Sequence, residues 1–285
     1  MKPAPIAKFA LSQTRVRLKR VTATLRRAAK HPEDARVNHD LRVAIRKFSQ
    51  CLRTFRGLFE PQPVKKMRKR LRQLMALCGA KRDYDVGLQV LEVAGLPPDS
   101  SAVLKFREHR DSGLRALAHY LGEKRNRSMT ENWRKQLQLA SDPQAEWDWS
   151  ASVSENAQKT LPRLAGEFFR EGDAAAAALG DYETLHRFRL RAKRFRYTLE
   201  IFGSFYGARL AAKAPALRGL QDRMGAINDC VVVLHLEGMD RAASGAVKKL
   251  LAERDAAFRK YWHQTFSLRS RDSWARLLEH PRGRA

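Results

Sequence analysis

His39, Arg42, Arg46 and Arg53 fall at helical spacing in the run NHDLRVAIRKFSQCLRTF (38–55). Intervals of three, four and seven residues set side chains on one face of a helix, successive members ~5–6 Å apart. The chemistry open to such a set is capture of an anion. Arg and Lys donate charge-assisted hydrogen bonds to phosphate or carboxylate oxygens, Arg as a two-pronged fork. A His beside them donates one more and adds charge when protonated. Cleaving a phosphate bond asks for other groups, namely clustered acids for a metal ion or a nucleophile beside a base. Acids near the basic runs are limited to Asp40, Asp83, Glu200 and Asp229. Neither run holds an HxxxH or HxxE pair, and its neighbours are cations, so no metal site and no cofactor are expected.

The same set occurs a second time. LHRFRLRAKRFRYTLEIF (185–202) overlays the first run at a constant offset of 147. His39 then meets His186, Arg42 meets Arg189, Arg46 meets Lys193, and Lys47 meets Arg194. The apolar register agrees at Leu41/Phe188, Phe48/Phe195, Leu52/Leu199 and Phe55/Phe202. Downstream, LRQLMALCGAKRDYDV (71–86) matches LRGLQDRMGAINDCVV (217–232) at offset 146, pairing Gly79 with Gly225, Arg82 with Asn228 and Asp83 with Asp229. Two ordered blocks in near-constant register imply a tandem duplication of a helical bundle. The expected organisation is a first half at 1–121, a connector at 122–149 carrying Trp147 and Trp149, and a second half at 150–285.

On a wheel of ~100° per residue, Arg42, Arg46, Gln50 and Arg53 lie within about 60° of His39. Leu41, Ile45, Phe48, Leu52 and Phe55 gather opposite. The second copy places His186, Arg189, Lys193, Arg196 and Tyr197 on one face and Phe188, Ala192, Phe195, Leu199 and Phe202 on the other. Each helix is therefore expected to bury one face and display a stripe of cations along the other. Like charges at this spacing repel, and no Glu interrupts either stripe before Glu200. An external anion is the natural remedy. Arg187 and Arg191 fall off the stripe and are expected to play an ordinary surface role.

The elements that position these stripes read as helices almost throughout. Periodicity predicts long helices near 5–30, 38–59, 64–80, 99–121, 153–170, 182–206, 209–227 and 244–267, and shorter ones near 84–94, 128–140, 229–240 and 272–279. Pro61, Pro63, Gly95 to Pro98, Pro143, Gly172 and Gly180 punctuate them. Asn38 and Asp181 are the expected N-caps. Gly79 and Gly225 are expected to end helices, with Asp83 and Asp229 capping the next ones. Val231–Leu234 is too isolated to found a sheet, so the fold class is all-α.

Composition agrees with a polyanion partner. The 285 residues hold 56 Lys+Arg against 30 Asp+Glu, a net charge of +26. Such an excess attracts nucleic acid, anionic membrane surfaces or phosphate polymers at long range. From Val37 to Arg72 there are eleven Lys/Arg against Asp40 and Glu60, including KKMRKRLR at 65–72. Lys65, Lys66, Lys69 and Arg82 therefore join the candidates in the first half. The second half is poorer here, with Lys213 the candidate. Cys51, Cys78 and Cys230 are three, widely spaced and without a CxxC pair, as for buried thiols in a reducing compartment. No apolar signal core or membrane-length run is present, so a cytoplasmic protein with no membrane partner is expected.

The paired motif, HxxR followed by a basic pair, an aromatic and a downstream Leu/Phe, with RD/ND turns after each, resembles the CHAD family, the conserved histidine α-helical domain. HRFRLRAKRFRYTLE is the nearest match and RDYDV the next. The resemblance covers nearly the whole chain. It implies two similar four-helix bundles related by pseudo-two-fold symmetry. It also implies binding of inorganic polyphosphate in a basic groove or channel and, in some members, association with polyphosphate granules. The motif positions are His39, Arg42, Arg46 and Lys47, then His186, Arg189, Lys193, Arg194, Arg196 and Tyr197. Ser49 departs from the pattern where the second copy has Arg196, and Arg53 is the expected substitute.

A non-enzymatic polyphosphate-binding module is the leading expectation. A linear phosphate polymer offers no bases, so cations along a groove suffice. A single-stranded nucleic-acid site should add stacking aromatics, and only Tyr197 lies on a stripe. A duplex reader should show a docking motif. A nucleic-acid-associated basic protein is the alternative, and a phosphate-processing enzyme is the third.

Overall fold

The computed structural model describes residues 5–281, apart from 124–125, 127, 141–146, 149 and 179. Trp149, expected in the connector, and Pro143, expected between helices, lie outside the described residues. The fold is all-helical. The helices are α1 (Pro5–Lys30), α2 (Ala35–Thr54), α3 (Pro61–Val93), α4 (Ser101–Gly122), α5 (Trp133–Gln136), α6 (Val153–Ala177), α7 (Tyr182–Ile201), α8 (Gly207–Ala211), α9 (Ala214–Val233), α10 (Arg241–Thr265) and α11 (Leu268–Glu279). A 3₁₀ turn at Gly203–Phe205 links α7 to α8. One antiparallel bridge, Phe59 to Leu139, is the extended pairing found among the described residues.

Two compact units result. One comprises residues 1–82 and 108–153, the other 83–107 and 154–285. In the first, α1 and α2 form an antiparallel pair over a core of Leu18, Val21, Leu25, Leu41, Ile45 and Phe48, each at most 4% exposed. The segment after α4 folds onto the same unit. Trp147 donates from its indole Nε1 to the Thr54 carbonyl at 3.1 Å and packs on Phe55 at 5.5 Å. Glu60 N donates to Gln138 O, and Ala140 N to Leu58 O.

The second unit is built around Phe168. Its ring lies 5.0–5.6 Å from those of Phe188, Phe195, Trp262 and Phe266. Offset and edge-on contacts of this kind add ~0.5–1.5 kcal/mol each beyond area burial. Trp262 is anchored by its Nε1, which donates to Asp173 at 3.1 Å, and Arg271 donates to the same carboxylate at 2.5 Å. Residues 83–107 belong to this unit: Phe106 meets Tyr84 edge-on at 5.2 Å and lies beside Gly238.

Local expectations fail in instructive ways. Gly79 and Gly225 do not end helices: α3 runs 33 residues and α9 runs 20 without a break. Asp83 and Asp229 are therefore interior helical residues, not caps. A glycine inside a helix costs only about 1 kcal/mol, which packing along the rest of the helix outweighs. Likewise 229–240 is the end of α9 and a loop rather than a separate helix. Asn38 is not the cap of α2. Asp34 is, accepting from the backbone N–H groups of Arg36 and Val37, while buried Asn38 donates to Pro32 O at 2.7 Å. Asp181 caps α7 as expected, accepting from Thr184 N. The hydrogen bond from Val37 N holds the Asp34 carboxyl below its ordinary pKa, and the Thr184 bonds do the same for Asp181.

Gly172 is not a breaker either. It lies inside α6, where a Cβ would come within 2.0 Å of the Trp262 ring. Gly166, in the same helix, is exposed and a Cβ there would meet nothing within 4 Å. Gly172→Ala should therefore destabilise the protein by about 1–3 kcal/mol through overpacking. Gly166→Ala should stabilise it by up to ~1 kcal/mol. Urea unfolding midpoints check the pair, and the prediction fails if both move in the same direction.

Candidate functional site

The cation-bearing helices are built alike. At the offset of 147, α2 and α7 begin and end at equivalent residues and share a capping aspartate, Asp34 or Asp181, bonded to the N–H three residues on. The apolar faces are buried as the wheel predicts. Leu41, Ile45, Phe48, Leu52 and Phe55 are at most 2% exposed, and Phe188, Ala192, Phe195, Leu199 and Phe202 at most 3%. Fixing the inner face fixes what the outer face presents.

In the first unit, His39 is exposed near the start of α2, with Arg42 and Arg46 half-buried below it. Desolvation and the charges of Arg46, Arg82 and Arg42 hold the His39 imidazole below its ordinary pKa, and Asp40 opposes them. Arg82 of α3 therefore converges on the same point as the α2 stripe. Arg42 in turn acts on the buried Cys78 thiol, which burial pushes up to about 11. The pairs His39/Arg82 and Arg42/Cys78 run in opposite chain directions, so α2 and α3 form an antiparallel hairpin here. Asp40 is turned to α1, 3.4 Å from Arg27 and 3.7 Å from Arg20. It lowers the charge beside the stripe without lying on it.

Side-chain nitrogens of Arg42, Arg46, Arg189 and Arg196 are shut from solvent. The Nε atoms of Arg46 and Arg196 find no hydrogen-bond acceptor among the described residues. A buried guanidinium N–H without an acceptor costs about 1–3 kcal/mol. Lys47 is half-buried, and Arg53 is exposed in the last turn of α2. Lys65, Lys66 and Lys69 are exposed on the first turns of α3. At ~1.5 Å per residue, Lys69 lies about 20 Å along the axis from Arg82. These lysines extend the basic surface and do not belong to the His39 cluster.

In the second unit, His186 is exposed on α7 with its Nδ1 3.3 Å from Asn228 Oδ1 on α9. Asn228 is the residue that aligns with Arg82, so both histidines face the equivalent place on the following long helix. Sequence reasoning left Asn228 out of the site, although the alignment already marked its position. Arg189, Lys193 and Arg194 are half-buried along α7. Arg196 reaches Glu200 at 3.3 Å, and its guanidinium carbon lies 4.8 Å from the Tyr197 ring centroid.

Two stripe residues are not surface groups. Tyr197 is 6% exposed and Gln50 is 7% exposed, and they are equivalent at the offset of 147. Both stripes thus open at their histidine ends and are covered at this position three turns later, while Arg53 beyond it on α2 is exposed again. Tyr197 is excluded as a stacking platform. Lys213 is also turned inward: it donates to Ser273 Oγ at 2.7 Å and lies 5.7 Å from the Trp274 ring centroid, and burial lowers its pKa. It packs rather than awaiting a ligand. Arg191, expected to play an ordinary surface role, is half-buried and pairs with Glu167 at 2.5 Å and Glu171 at 2.8 Å. Arg254 and Arg259 serve the fold. The former donates to Ala226 O, and the latter pairs with Asp255 and reaches the carbonyls of Ala176 and Ala178.

A family profile described as "CHAD domain" matches residues 15–236. The chain belongs to the CHAD family. The match spans both cationic helices. Two solved structures share the CHAD-like fold. The CHAD domain from the plant Ricinus communis aligns with a TM-score of 0.64 at 19% identity, covering 97% of this chain and 92% of that one. PptA from Streptomyces chartreusis aligns with a TM-score of 0.59 at 16% identity, covering 96% and 99%. No curated protein matches the sequence. Among the described residues there is no helix long and apolar enough to cross a membrane, and no group of three or more His, Cys, Asp or Glu placed to hold a metal ion.

The histidine environment predicts a titration. The His39 midpoint should lie below 6.5, leaving the ring neutral at pH 7, and Arg46→Gln should raise it by removing the largest neighbouring charge. An anion bound beside the ring should raise it further, so binding should take up a proton. Histidine NMR titration with and without added polyphosphate checks this. A midpoint that stays put on binding would place the anion away from His39.

Proposed function

We propose that this CHAD protein is a binding module for inorganic polyphosphate, held by the cationic faces of α2 and α7 and the adjoining helices. The observation that carries the reading is the convergence of Arg42, Arg46 and Arg82 on His39, with a guanidinium nitrogen of Arg42 and one of Arg46 already shut from solvent. Asp40, the acid beside this stripe on α2, is turned to Arg20 and Arg27 of α1. A chain of phosphates supplies charge at short intervals and accepts a hydrogen bond from each guanidinium. The matched bounds and caps of α2 and α7 support the duplication and hence a related site in each unit. Residues assigned to the ligand are His39, Arg42, Arg46, Lys47 and Arg82 in one unit and His186, Arg189, Lys193 and Arg194 in the other. Arg53, Lys65, Lys66 and Lys69 add long-range attraction. In a cell, such a surface would gather the protein onto polyphosphate granules.

Nucleic acid is the competing ligand, since a net charge of +26 attracts any polyanion. The burial of Tyr197 weighs against single strands, because it removes the one aromatic the stripes could offer for stacking. Arg42→Glu combined with Arg189→Glu should abolish polyphosphate binding, measured by fluorescence polarisation, with far-UV circular dichroism unchanged. Lys213→Ala should leave binding within about twofold, as expected for a residue bonded to Ser273. Binding retained by the double reversal, or lost on Lys213→Ala, would move the site off these helices.

A further inference from the structure

A cavity, separate in character from the basic faces, lies where α7 meets the 3₁₀ turn, α8 and the first turns of α9. Its volume is about 220 Å³, room for about seven waters at ~30 Å³ each. Leu199, Leu210 and Leu217 line it, and Arg196, Glu200 and Arg218 carry charge there. Leu199 and Leu217 are each 3% exposed, so they form a fixed apolar floor. Gly203 and Gly207 keep the wall open: a Cβ at either would meet nothing within 4 Å, and Gly207 adopts φ +57, which makes the turn into α8.

The charges at this cavity are unequal in what they have left to do. Glu200 and Arg196 are paired at 3.3 Å and largely cancel. Arg218 is exposed and makes no hydrogen bond or ion pair among the described residues. What remains is an apolar hollow of single-ring size with one uncommitted guanidinium at its edge. Polyphosphate has no use for three leucines, and the hollow is too small for a polymer. The combination suits a molecule with a compact apolar body and one acidic group, the pattern of a pocket that takes its affinity from apolar lining and its orientation from one polar contact.

We infer that the second unit carries a binding site for a small amphipathic carboxylate, a monocyclic or short branched-chain acid, with its body on Leu199, Leu210 and Leu217 and its carboxylate on Arg218. Neither Leu210 nor Arg218 belongs to the polyphosphate faces, so this site stands or falls apart from that function. Phenylacetate is a suitable probe, with 2-phenylethanol and 2-phenylethylamine as neutral and cationic counterparts. The full chain, labelled at leucine methyls, should show saturable shifts at Leu199, Leu210 and Leu217 with phenylacetate and much weaker ones with the other two. Arg218→Ala should weaken phenylacetate about tenfold, the worth of one charge-assisted hydrogen bond. Leu210→Trp should fill the hollow and abolish the shifts at Leu199 and Leu217, with polyphosphate affinity unchanged as the control for folding. Absence of saturable shifts, equal response to the amine, or indifference to Arg218→Ala would each overturn the assignment.

Discussion

Repulsion between guanidinium and ammonium groups one turn apart is the constraint to which the rest of this structure answers. Along α2 and α7 the outer face carries Arg or Lys at intervals of three and four, each such like-charge contact costing an isolated helix ~0.2–0.5 kcal/mol. The inner face answers with a much greater stabilisation. Fully burying one Phe contributes about 1.5–3 kcal/mol, and Phe48, Phe55, Phe188, Phe195 and Phe202 are all at most 1% exposed. The fold can therefore tolerate charges that the helix alone would reject. The Phe168-centred ring cluster behind α7 does this for one unit, and the α1–α2 pair does it for the other.

The cost that burial does not remove is desolvation. Half-sinking Arg42, Arg46, Arg189 and Arg196 takes some of their nitrogens from water. Cations fully in solvent would be cheaper to keep and weaker as ligands, since water screens them. A half-buried guanidinium is already stripped for an anion, so binding costs less reorganisation. Some off-stripe cations have a purely internal role. Arg191, Arg254 and Arg259 are engaged by carboxylates and carbonyls within the fold. These three arginines therefore serve the fold.

How far the sequence foretells this follows from what is local and what is not. The two faces of α2 and α7 are legible because a 3.6-residue period is a property of one helix. Asp181 is legible as a cap for the same reason. Asp34 is hidden because Asn38, also a capping type, lies four residues on, and only the structure shows its amide engaged by Pro32. Gly79, Gly225 and Gly172 mislead because glycine marks both helix ends and close packing. Which of these holds depends on a distant partner, as Trp262 decides for Gly172. Tyr197 and Gln50 fall on the stripe by angle, yet both are buried, which no wheel can report. Asn228 emerges only by joining the alignment of the halves to the contact with His186.

If the cationic faces are the site, the ligand is read as a line of charge and nothing more. Calorimetric titration of the full chain with long-chain polyphosphate and with single-stranded DNA, matched for total charge, at two salt concentrations tests that most directly. Polyphosphate should bind more tightly at both, its affinity falling steeply with salt as counterions are released. DNA equalling or exceeding polyphosphate, or a polyphosphate affinity indifferent to salt, would contradict it.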